Sequence, residues 1–179
     1  MKRFRMKKLW KAISLSLCGI LTAGIIAGCG SENTVDKTTL KFGVTNFADT
    51  LEPTQNYFGW VVMRYAIGEC LAKFDEKMNV QPWLAESWSI SDDHLTWTFK
   101  IRDNVKFSNG NLVTAEAVKK SIERAFAKNT RAKTFFEYTE MKADGQNLII
   151  TTSKPQPNMP GFLADPLFII VDVSAEEQG

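Results

Sequence analysis

Residues 81–110 read QPWLAESWSISDDHLTWTFKIRDNVKFSNG, and this stretch decides the fold that the sequence predicts. In its second half, polar residues alternate with the apolar residues Leu95, Trp97, Phe99 and Ile101. This period of two is typical of a β-strand with one buried face. The polar residues 91–94 can reverse the chain, which would pair this strand with an earlier one that contains Trp88. We therefore expect a β-hairpin in which Trp88 and Trp97 face one core, with paired indole N–H groups.

A helix is predicted directly after the hairpin. The dipeptide Asn109-Gly110 favours a tight turn, and Thr114 can cap a helix that begins after it. The apolar face of this helix consists of Val118, Ile122 and Phe126, which recur at four-residue spacing. Strands that pass into a helix in this way predict an α/β fold with a mixed sheet.

Upstream of the hairpin, the sequence predicts a strand and a long helix. Apolar and polar residues alternate over residues 39–46, and a proline-marked turn follows at 50–54. Apolar residues then recur at three- and four-residue spacing, which predicts one helix with an apolar face of Trp60, Met63, Ile67, Cys70, Leu71 and Phe74. The polar residues 75–79 predict a turn into the hairpin stretch.

Downstream, the sequence predicts a second hairpin. Residues 138–143 and 148–152 have strand patterns and are joined around Asp144-Gly145, a dipeptide that tolerates positive φ at both positions. The prolines within 155–160 predict a stiff, extended connector. The apolar run 167–171 has the composition of a strand. Since no closing element follows it, we expect the chain to end inside a longer domain.

The charge of the chain argues against a nucleic-acid partner. The formal net charge is +2, but six of the 22 basic residues lie at or before Lys11. Removing those six leaves 16 basic side chains against 20 acidic ones, a net charge of −4. Binding to nucleic acid normally needs a clustered basic face, which a mildly acidic domain does not offer.

The N-terminus has the pattern of a lipoprotein signal peptide. A basic start precedes an apolar run at 12–27, and Ile26-Ala27-Gly28-Cys29 fits the box at which a signal peptidase cuts before an acylated cysteine. We expect residues 1–28 to be removed, Cys29 to be lipidated, and residues 29–37 to form a polar tether on the extracytoplasmic side of the cell membrane. The alternative is an uncleaved transmembrane anchor, for which the run is short compared with the roughly 20 apolar residues of a span.

The sequence carries no pattern of a catalytic or metal site. Cys70 has no disulfide partner once the signal peptide is removed and Cys29 is acylated, which favours a position in the core. The one histidine, His94, lies in the predicted hairpin turn. A secreted hydrolase would need a nucleophile with a base, and a zinc site would need paired ligands, neither of which is evident. We therefore expect no enzyme activity, no resident metal and no cofactor.

The hairpin stretch resembles a known family. Its motifs are, in order, Pro82-Trp83-Leu84-Ala85, Ser87-Trp88, Trp97-Thr98-Phe99, the run IRDNVKFSNG at 101–110, and Thr114-Ala115-Glu116. In order and spacing they resemble the peptide- and nickel-binding family of ABC-transporter solute-binding proteins, called solute-binding protein family 5, and within it the nickel-binding branch. Upstream, Leu51-Glu52-Pro53 and Gly68-Glu69-Cys70-Leu71 resemble two further elements of this family.

The resemblance implies a fold and a function. Family members have two lobes and the type II periplasmic-binding-protein fold, so residues 38–179 would form the N-terminal part of lobe I, with an extra subdomain at about 75–170. The protein would capture a nickel or other metal chelate, or an oligopeptide, and deliver it to ABC permease subunits. A peptide-sensing receptor of the same fold and a truncated lipoprotein with a structural or interaction role are the alternatives. Because members are considerably longer, we expect this chain to hold one wall of the cleft and to bind solute weakly or not at all.

Aromatic residues on the connection before the predicted long helix are candidates for binding. Connections between elements often carry binding residues, and in the resembled family this connection borders the cleft. We expect Tyr57, Phe58 and Trp60 to line the ligand and Arg64 to pair with an anionic group. Core packing is the alternative for Trp60. The nickel branch has an arginine in the segment that corresponds to 165–171, where this chain has none, and peptide binding therefore stays open.

Overall fold

The structure is a computed structural model that describes Gly43 and residues 49–176. The chain divides into two compact units, residues 1–44 and 45–179, and every helix and strand given below belongs to the second unit. The predicted signal peptide, Cys29 with its tether, and the predicted strand at 39–46 apart from Gly43 lie outside the described residues. Within residues 49–176, no helix has the length and apolar character needed to cross a membrane.

The second unit combines helices with short antiparallel strands. In chain order they are α1 (Phe58–Arg64), β1 (Ala72–Phe74), β2 (Val80–Pro82), β3 (Ala85–Ile90), β4 (Thr96–Ile101), α2 (Ala115–Lys128), α3 (Ala132–Phe135), β5 (Glu140–Asp144), β6 (Asn147–Thr151), α4 (Met159–Phe162), a 3₁₀ helix (Pro166–Phe168) and α5 (Val173–Glu176). Strands β1 and β2 form one sheet, and β3, β4, β6 and β5 form a second sheet in that order. All of these strand pairs are antiparallel. The predicted α/β class is confirmed, whereas the predicted mixed sheet is not seen among the described residues, whose strand pairs are all antiparallel.

The β3–β4 hairpin is present as predicted. Trp88 lies opposite Phe99 in the register of the two strands. Trp97, on the same face of β4, is buried and stacks on Phe99 with 5.9 Å between ring centroids. Its indole N–H donates a hydrogen bond to the backbone oxygen of Gln156 at 2.9 Å. The two tryptophans therefore share one core face, because alternating side chains of a strand point to the same side of the sheet.

The main core lies between the four-stranded sheet and α2. The Thr114 hydroxyl accepts a hydrogen bond from the backbone N–H of Ala117 at 3.1 Å, so Thr114 is the N-cap of α2. Val118 and Ile122 are fully buried in one hydrophobic cluster with Phe99. Each such side chain contributes about 1.5–3 kcal/mol through burial. The predicted amphipathic pattern of this helix therefore fixes it on the sheet.

The second hairpin is present, with its turn one residue later than predicted. Asp144 pairs with Asn147 across β5 and β6, which places Gly145 and Gln146 at the two central positions of the turn. Gly145 has φ +57°, while Asp144 and Gln146 do not have positive φ. A turn whose first central residue alone has positive φ requires glycine at that position, so Gly145 rather than the pair Asp144-Gly145 determines the turn.

The predicted helix over residues 60–74 is wrong beyond Arg64. Two backbone hydrogen bonds end α1: the N–H of Ala66 donates to the carbonyl three residues earlier at 2.9 Å, and the N–H of Ile67 donates to the carbonyl five residues earlier at 3.0 Å. This is the Schellman arrangement, with Ala66 at φ +55° in the left-handed position that glycine usually takes. The apolar residues beyond it belong to a connection, in which Cys70 and Leu71 are buried and Ile67 is 56% exposed, and to β1. Their helical spacing therefore came from two different elements.

The apolar run 167–171 is not a strand. Pro166 to Phe168 form the 3₁₀ helix, which Asp165 caps by accepting a hydrogen bond from the N–H of Leu167 at 2.9 Å. After it, the backbone N–H of Ile170 donates a hydrogen bond to the backbone oxygen of Glu69 at 2.9 Å. This segment is not part of any strand. The run is apolar because it is buried between α1, α2 and the β1 connection.

Candidate functional site

Backbone contact fixes α1 on the 3₁₀ helix. Gly59 lies so close to Pro166 that an added Cβ atom would stand 2.5 Å from the Pro166 carbonyl oxygen. One turn later, Val62 is 3% exposed and packs with Cys70 and Ile169 in a small second cluster. One side of α1 is therefore attached to the interior, and this attachment determines which residues the other side presents to solvent.

Of the four residues predicted to bind ligand, Trp60 and Arg64 lie on the exposed side of α1, and Tyr57 lies at its N-cap. Tyr57 is 69% exposed, Trp60 is 49% exposed and Arg64 is also exposed. Their spacing of three and four residues places them along one side of a helix, and we call them the α1 face. Phe58 is only half-buried and lies off this face. Trp60 is therefore not a core residue, which was its alternative assignment.

A second arginine, Arg131, adjoins the α1 face. Its guanidinium carbon lies 5.6 Å from the centroid of the Tyr57 ring and 5.2 Å from that of Phe135. One guanidinium nitrogen pairs with the Asp165 carboxylate at 3.1 Å. Phe135 is itself held edge-on against the buried Phe168, with 5.5 Å between centroids. The cation therefore stands on a rigid aromatic support at the N-terminal end of α1.

An ion-pair cluster holds the segment that leads into α1. Arg124, on α2, is buried and donates to both oxygens of the Glu52 carboxylate, one of them at 3.0 Å through Nη1. Its Nε also donates to Glu176 at 2.9 Å. The Thr54 hydroxyl donates a hydrogen bond to the Glu52 carboxylate at 2.5 Å. The side-chain amide of Asn129 donates a hydrogen bond to the backbone oxygen of Thr54 at 2.8 Å. Residues 52–54 are therefore fixed to α2, a few residues before Tyr57.

This cluster keeps its charges over a wide pH range. The Arg124 guanidinium, followed by hydrogen bonds from Thr54, lowers the pKa of Glu52 from 4.5 to about 2. Hydrogen bonds to Glu176 and Glu52 in turn raise the pKa of Arg124 above its usual range. Bidentate pairing of arginine with carboxylate is directional as well as strong. The cluster acts as a support for α1 rather than as a site open to a ligand.

Three concavities of the described residues lie elsewhere. A groove of about 590 Å³ opens between the β1–β2 turn and the four-stranded sheet, where its lining includes Phe74, Met78 and Trp88. Another of about 450 Å³ lies beside residues 105–109, and a third of about 440 Å³ lies beside Tyr138. None of these three contains Tyr57, Phe58, Trp60 or Arg64. The α1 face is an open surface and needs a second surface opposite it to enclose a ligand.

The described residues offer no metal-binding cluster. Within residues 49–176, no group of three or more histidine, cysteine, aspartate or glutamate side chains could hold a metal ion. Cys70 is fully buried, and burial raises the pKa of its thiol, so the reactive thiolate is disfavoured. Its Sγ donates to the Asp165 backbone oxygen at 3.4 Å. The predicted core position of Cys70 is confirmed.

Sequence reasoning missed Arg131 and the Glu52–Arg124 pair. The sequence places Arg131 in a basic, polar run after α2, which is typical of a solvated loop. Arg124 lies on a helix whose lysine side chains are partly or fully exposed. The only signal was the Leu51-Glu52-Pro53 motif, which marks Glu52 but not its partner.

Comparison with known proteins identifies the family. Residues 79–179, more than half of the chain, match the model of the middle region of the bacterial extracellular solute-binding proteins, family 5. The chain belongs to this family. The relationship predicted from the sequence motifs is therefore confirmed.

The relatives are all much longer than this chain. The nickel-binding protein NikA of Staphylococcus aureus (strain NCTC 8325 / PS 47) is 29% identical over 152 residues, which cover 85% of this chain and 30% of the relative. The glutathione-binding protein GsiB of Escherichia coli (strain K12) is 31% identical over 108 residues, 58% of this chain and 21% of the relative. The crystal structure of a nickel ABC transporter protein from Bacillus halodurans has a TM-score of 0.65 and 39% identity, and the match covers 69% of this chain and 26% of that one. This chain thus spans less than a third of each relative.

Proposed function

We infer that this chain forms one wall of the solute site in the extracytoplasmic binding component of an ABC importer. The observation that carries this proposal is the α1 face, an aromatic and cationic surface fixed from behind by the contact of Gly59 with Pro166. Rigidly held aromatic side chains provide large contact area at low entropic cost. Family membership provides the class of function.

The proposed site needs a second lobe. In this account residues 38–179 form the N-terminal part of lobe I, with an extra subdomain at about 75–170. The second lobe closes on the solute that rests on the α1 face, and the closed form docks on the permease subunits. Closure is driven by a higher affinity of the closed state for solute. Residues 38–179 alone therefore bind solute weakly or not at all, since an open face buries too little of a ligand.

The solute is a metal chelate or a short peptide. Relatives named for nickel binding and for glutathione binding both match this chain, so the comparisons support both classes. Both kinds of solute carry carboxylates, which Arg64 can grip, and both offer planar or apolar groups that can pack on Tyr57 and Trp60. The motifs at 82–85 and 105–110 resemble those of the nickel-binding branch of the family, and this resemblance favours the chelate.

The protein is proposed to be a lipoprotein. Cleavage after residue 28 would leave Cys29 at the N-terminus, and a diacylated cysteine supplies the two chains that stable anchoring takes. The solute site would then lie on the extracytoplasmic side of the cell membrane. Metabolic labelling with an alkyne-bearing palmitate tests this: labelling of the natural protein and its loss in Cys29→Ser are expected, and equal labelling of both proteins would contradict the proposal.

Calorimetric titration of the full-length natural protein tests solute binding. The probes are the nickel(II)–L-histidine complex and an alanine tetrapeptide, and the variant is Trp60→Ala. Because central aromatic side chains of interfaces often contribute 2 kcal/mol or more, we expect Trp60→Ala to weaken binding about 30-fold. Met78→Ala is the matched control, since Met78 is 70% exposed and lies in a different part of the unit.

Two results would contradict the proposal. Absence of measurable binding for both probes would argue against solute capture of either class. Binding that Trp60→Ala and Met78→Ala affect equally would argue that the solute lies away from the α1 face.

A further inference from the structure

The loop between β4 and α2 contains a chemically reactive dipeptide. Asn109-Gly110 is the one Asn-Gly pair in the sequence. Asparagine is a thermolabile residue, because the backbone nitrogen of the next residue can attack its side-chain carbonyl carbon. Glycine has no Cβ atom to hinder this approach. Asn109 and Gly110 are both exposed, so the water that the reaction consumes reaches them.

Deamidation replaces the Asn109 amide with a carboxylate. The Gly110 nitrogen forms a bond to the Asn109 Cγ atom and loses its proton, while the bond from Cγ to Nδ2 breaks and ammonia leaves. The product is a cyclic succinimide. Water then opens this ring at one of its carbonyl carbons, which yields aspartate or isoaspartate. Water is the only co-reactant that the balance requires.

Asp172 holds the Asn109 side chain in the native loop. Its Oδ2 atom accepts hydrogen bonds from the side-chain amides of Asn109 at 2.8 Å and of Asn111 at 2.7 Å. We call these three residues the Asp172 cluster. Hydrogen bonds from Asn109, Ser174 and Asn111 lower the pKa of Asp172 from 3.8 to about 2. The acceptor is therefore a charged carboxylate at neutral pH.

The native loop opposes the attack by Gly110. The bond from Asn109 Nδ2 to Asp172 is lost as ammonia leaves, and the Gly110 N–H must give up its hydrogen bond to the Phe107 oxygen at 2.9 Å. Asn109 Oδ1 also accepts from the backbone N–H of Asn111 at 3.0 Å, which restrains the rotation of the side chain. The reaction therefore requires local opening of the loop.

Deamidation would reverse the interaction between residue 109 and Asp172. In place of an N–H donor 2.8 Å from Asp172 Oδ2, the product has a second carboxylate. Like charges that share a site disfavour one another. Lys106, an exposed cation that lines the same 450 Å³ concavity as Asn109 and Asp172, offers the new carboxylate another partner. Both effects draw the loop away from Asp172.

We propose that Asn109 is a deamidation site that the Asp172 cluster protects, and that its conversion to aspartate or isoaspartate releases the loop 105–112 from Asp172. This inference goes beyond solute binding and does not depend on it. It connects the reactivity of one dipeptide with a contact to a residue 63 positions away.

Peptide mapping of the aged protein tests the site. The full-length natural protein is incubated in mildly alkaline buffer and digested, and mass spectrometry follows each asparagine. Asn111 is the internal control, because it is exposed and bonded to the same carboxylate but is followed by Leu112, whose side chain hinders attack. A synthetic peptide of residues 105–113 gives the rate without the fold. We expect Asn109 to react before Asn111, and about tenfold more slowly than in the peptide.

Three variants test the protection. Asp172→Ala removes the acceptor and is expected to speed deamidation of Asn109 about tenfold, because hydrogen bonds to a charged group are the strong ones. Ser174→Ala is the matched control, since the Ser174 hydroxyl donates to the other oxygen of Asp172, and it should keep the wild-type rate. If Asp172→Ala does not fold, Asp172→Asn keeps the size of the side chain, removes the charge and should give a smaller acceleration.

Hydrogen exchange tests the release of the loop. Asn109→Asp carries the charge of the product, and Asn104→Asp adds the same charge at another exposed turn position. Backbone amides of residues 105–113 and 172–174 should exchange about tenfold faster in Asn109→Asp than in Asn104→Asp.

Each part of the inference has an outcome that overturns it. Equal deamidation rates at Asn109 and Asn111 would show that Asn109 is not a specific site. An unchanged rate in both Asp172 variants would remove the protecting role of the Asp172 cluster. Equal hydrogen exchange in Asn109→Asp and Asn104→Asp would contradict the release of the loop. Since no solute is used in these experiments, their results are independent of the proposed function.

Discussion

Gly59 is the point at which the backbone of α1 rests on the 3₁₀ helix, so Gly59→Ala is expected to push the helix away. The new Cβ atom would lie 2.5 Å from the oxygen and 2.9 Å from the carbon of the Pro166 carbonyl, and 3.0 Å from the Pro53 oxygen. Even the short C–H···O contacts of folded proteins have carbon–oxygen distances of about 3.3–3.6 Å. All three neighbours are backbone atoms, so no side chain can rotate to make room. A displacement of α1 by about 1 Å is the expected response.

The expected cost follows from two opposing effects. Overpacking of a close contact destabilises a protein by about 1–3 kcal/mol. Replacement of glycine by alanine inside a helix returns up to about 1 kcal/mol. Gly59→Ala should therefore lower the free energy of unfolding by about 1–2 kcal/mol. Because α1 carries Trp60, the same variant should also weaken solute binding.

Gly161→Ala is the matched control. Gly161 is also helical, in α4, but its added Cβ atom would meet only side-chain atoms, Val80 at 3.7 Å and Phe74 at 3.8 Å. These are ordinary contacts, so Gly161→Ala should be neutral or more stable by up to about 1 kcal/mol. Urea unfolding gives both free energies. Equal stability of the two variants, or a stabilised Gly59→Ala, would refute the account of how α1 is anchored.

Three further predictions concern other residues. Ala66→Gly should stabilise the protein by up to about 1 kcal/mol in urea unfolding, because glycine relieves the left-handed backbone at φ +55°; a loss of stability would contradict this. Glu52→Gln should cost about 1–3 kcal/mol at neutral pH. Since the pKa of Glu52 is lowered to about 2, its stabilisation is present above pH 4.5 and lost as the pH falls toward 2, so thermal melts of Glu52→Gln should be less sensitive to acid over that range. An identical acid dependence would argue against the pair with Arg124. In a chain whose other two cysteines are replaced by serine, the Cys70 thiol should react with a disulfide reagent only after unfolding, because it is fully buried; rapid reaction of the folded protein would show that the core opens there.

The elements that the sequence predicts well are those set by local signals. The β3–β4 hairpin combines strict alternation with polar turn residues, and α2 combines the Thr114 cap with a four-residue apolar spacing. Each of these signals lies within one short, continuous stretch of the sequence. The family motifs lie in the same stretch, so fold and family were predictable from the same residues.

The errors arise where tertiary contacts decide. The apolar spacing over 60–74 continues through Ala66, and nothing in an alanine side chain indicates the left-handed backbone that ends α1 there. The run 167–171 is as apolar as a strand because it is buried on several sides, whereas its backbone forms a 3₁₀ helix and an extended connection. Composition reports burial in such a segment but not the form of its backbone.

The parts of the site that the sequence does not reveal depend on long-range pairs. Arg124 and Glu52 are 72 residues apart, and Arg131 and Asp165 are 34 residues apart. No periodicity connects such partners, so an arginine in a polar run is assigned to solvent by default. The aromatic residues of the connection before α1 could be selected from sequence because binding residues concentrate on connections; their role in binding is still a prediction.

A crystal structure of the full-length natural protein with its bound solute, chosen from the titrated probes, tests the central claim most directly. We predict the solute to lie against Tyr57, Trp60 and Arg64. For a nickel chelate, anomalous scattering locates the metal independently. A solute in the groove beside Phe74 and Trp88, with the α1 face left open to solvent, would contradict the account.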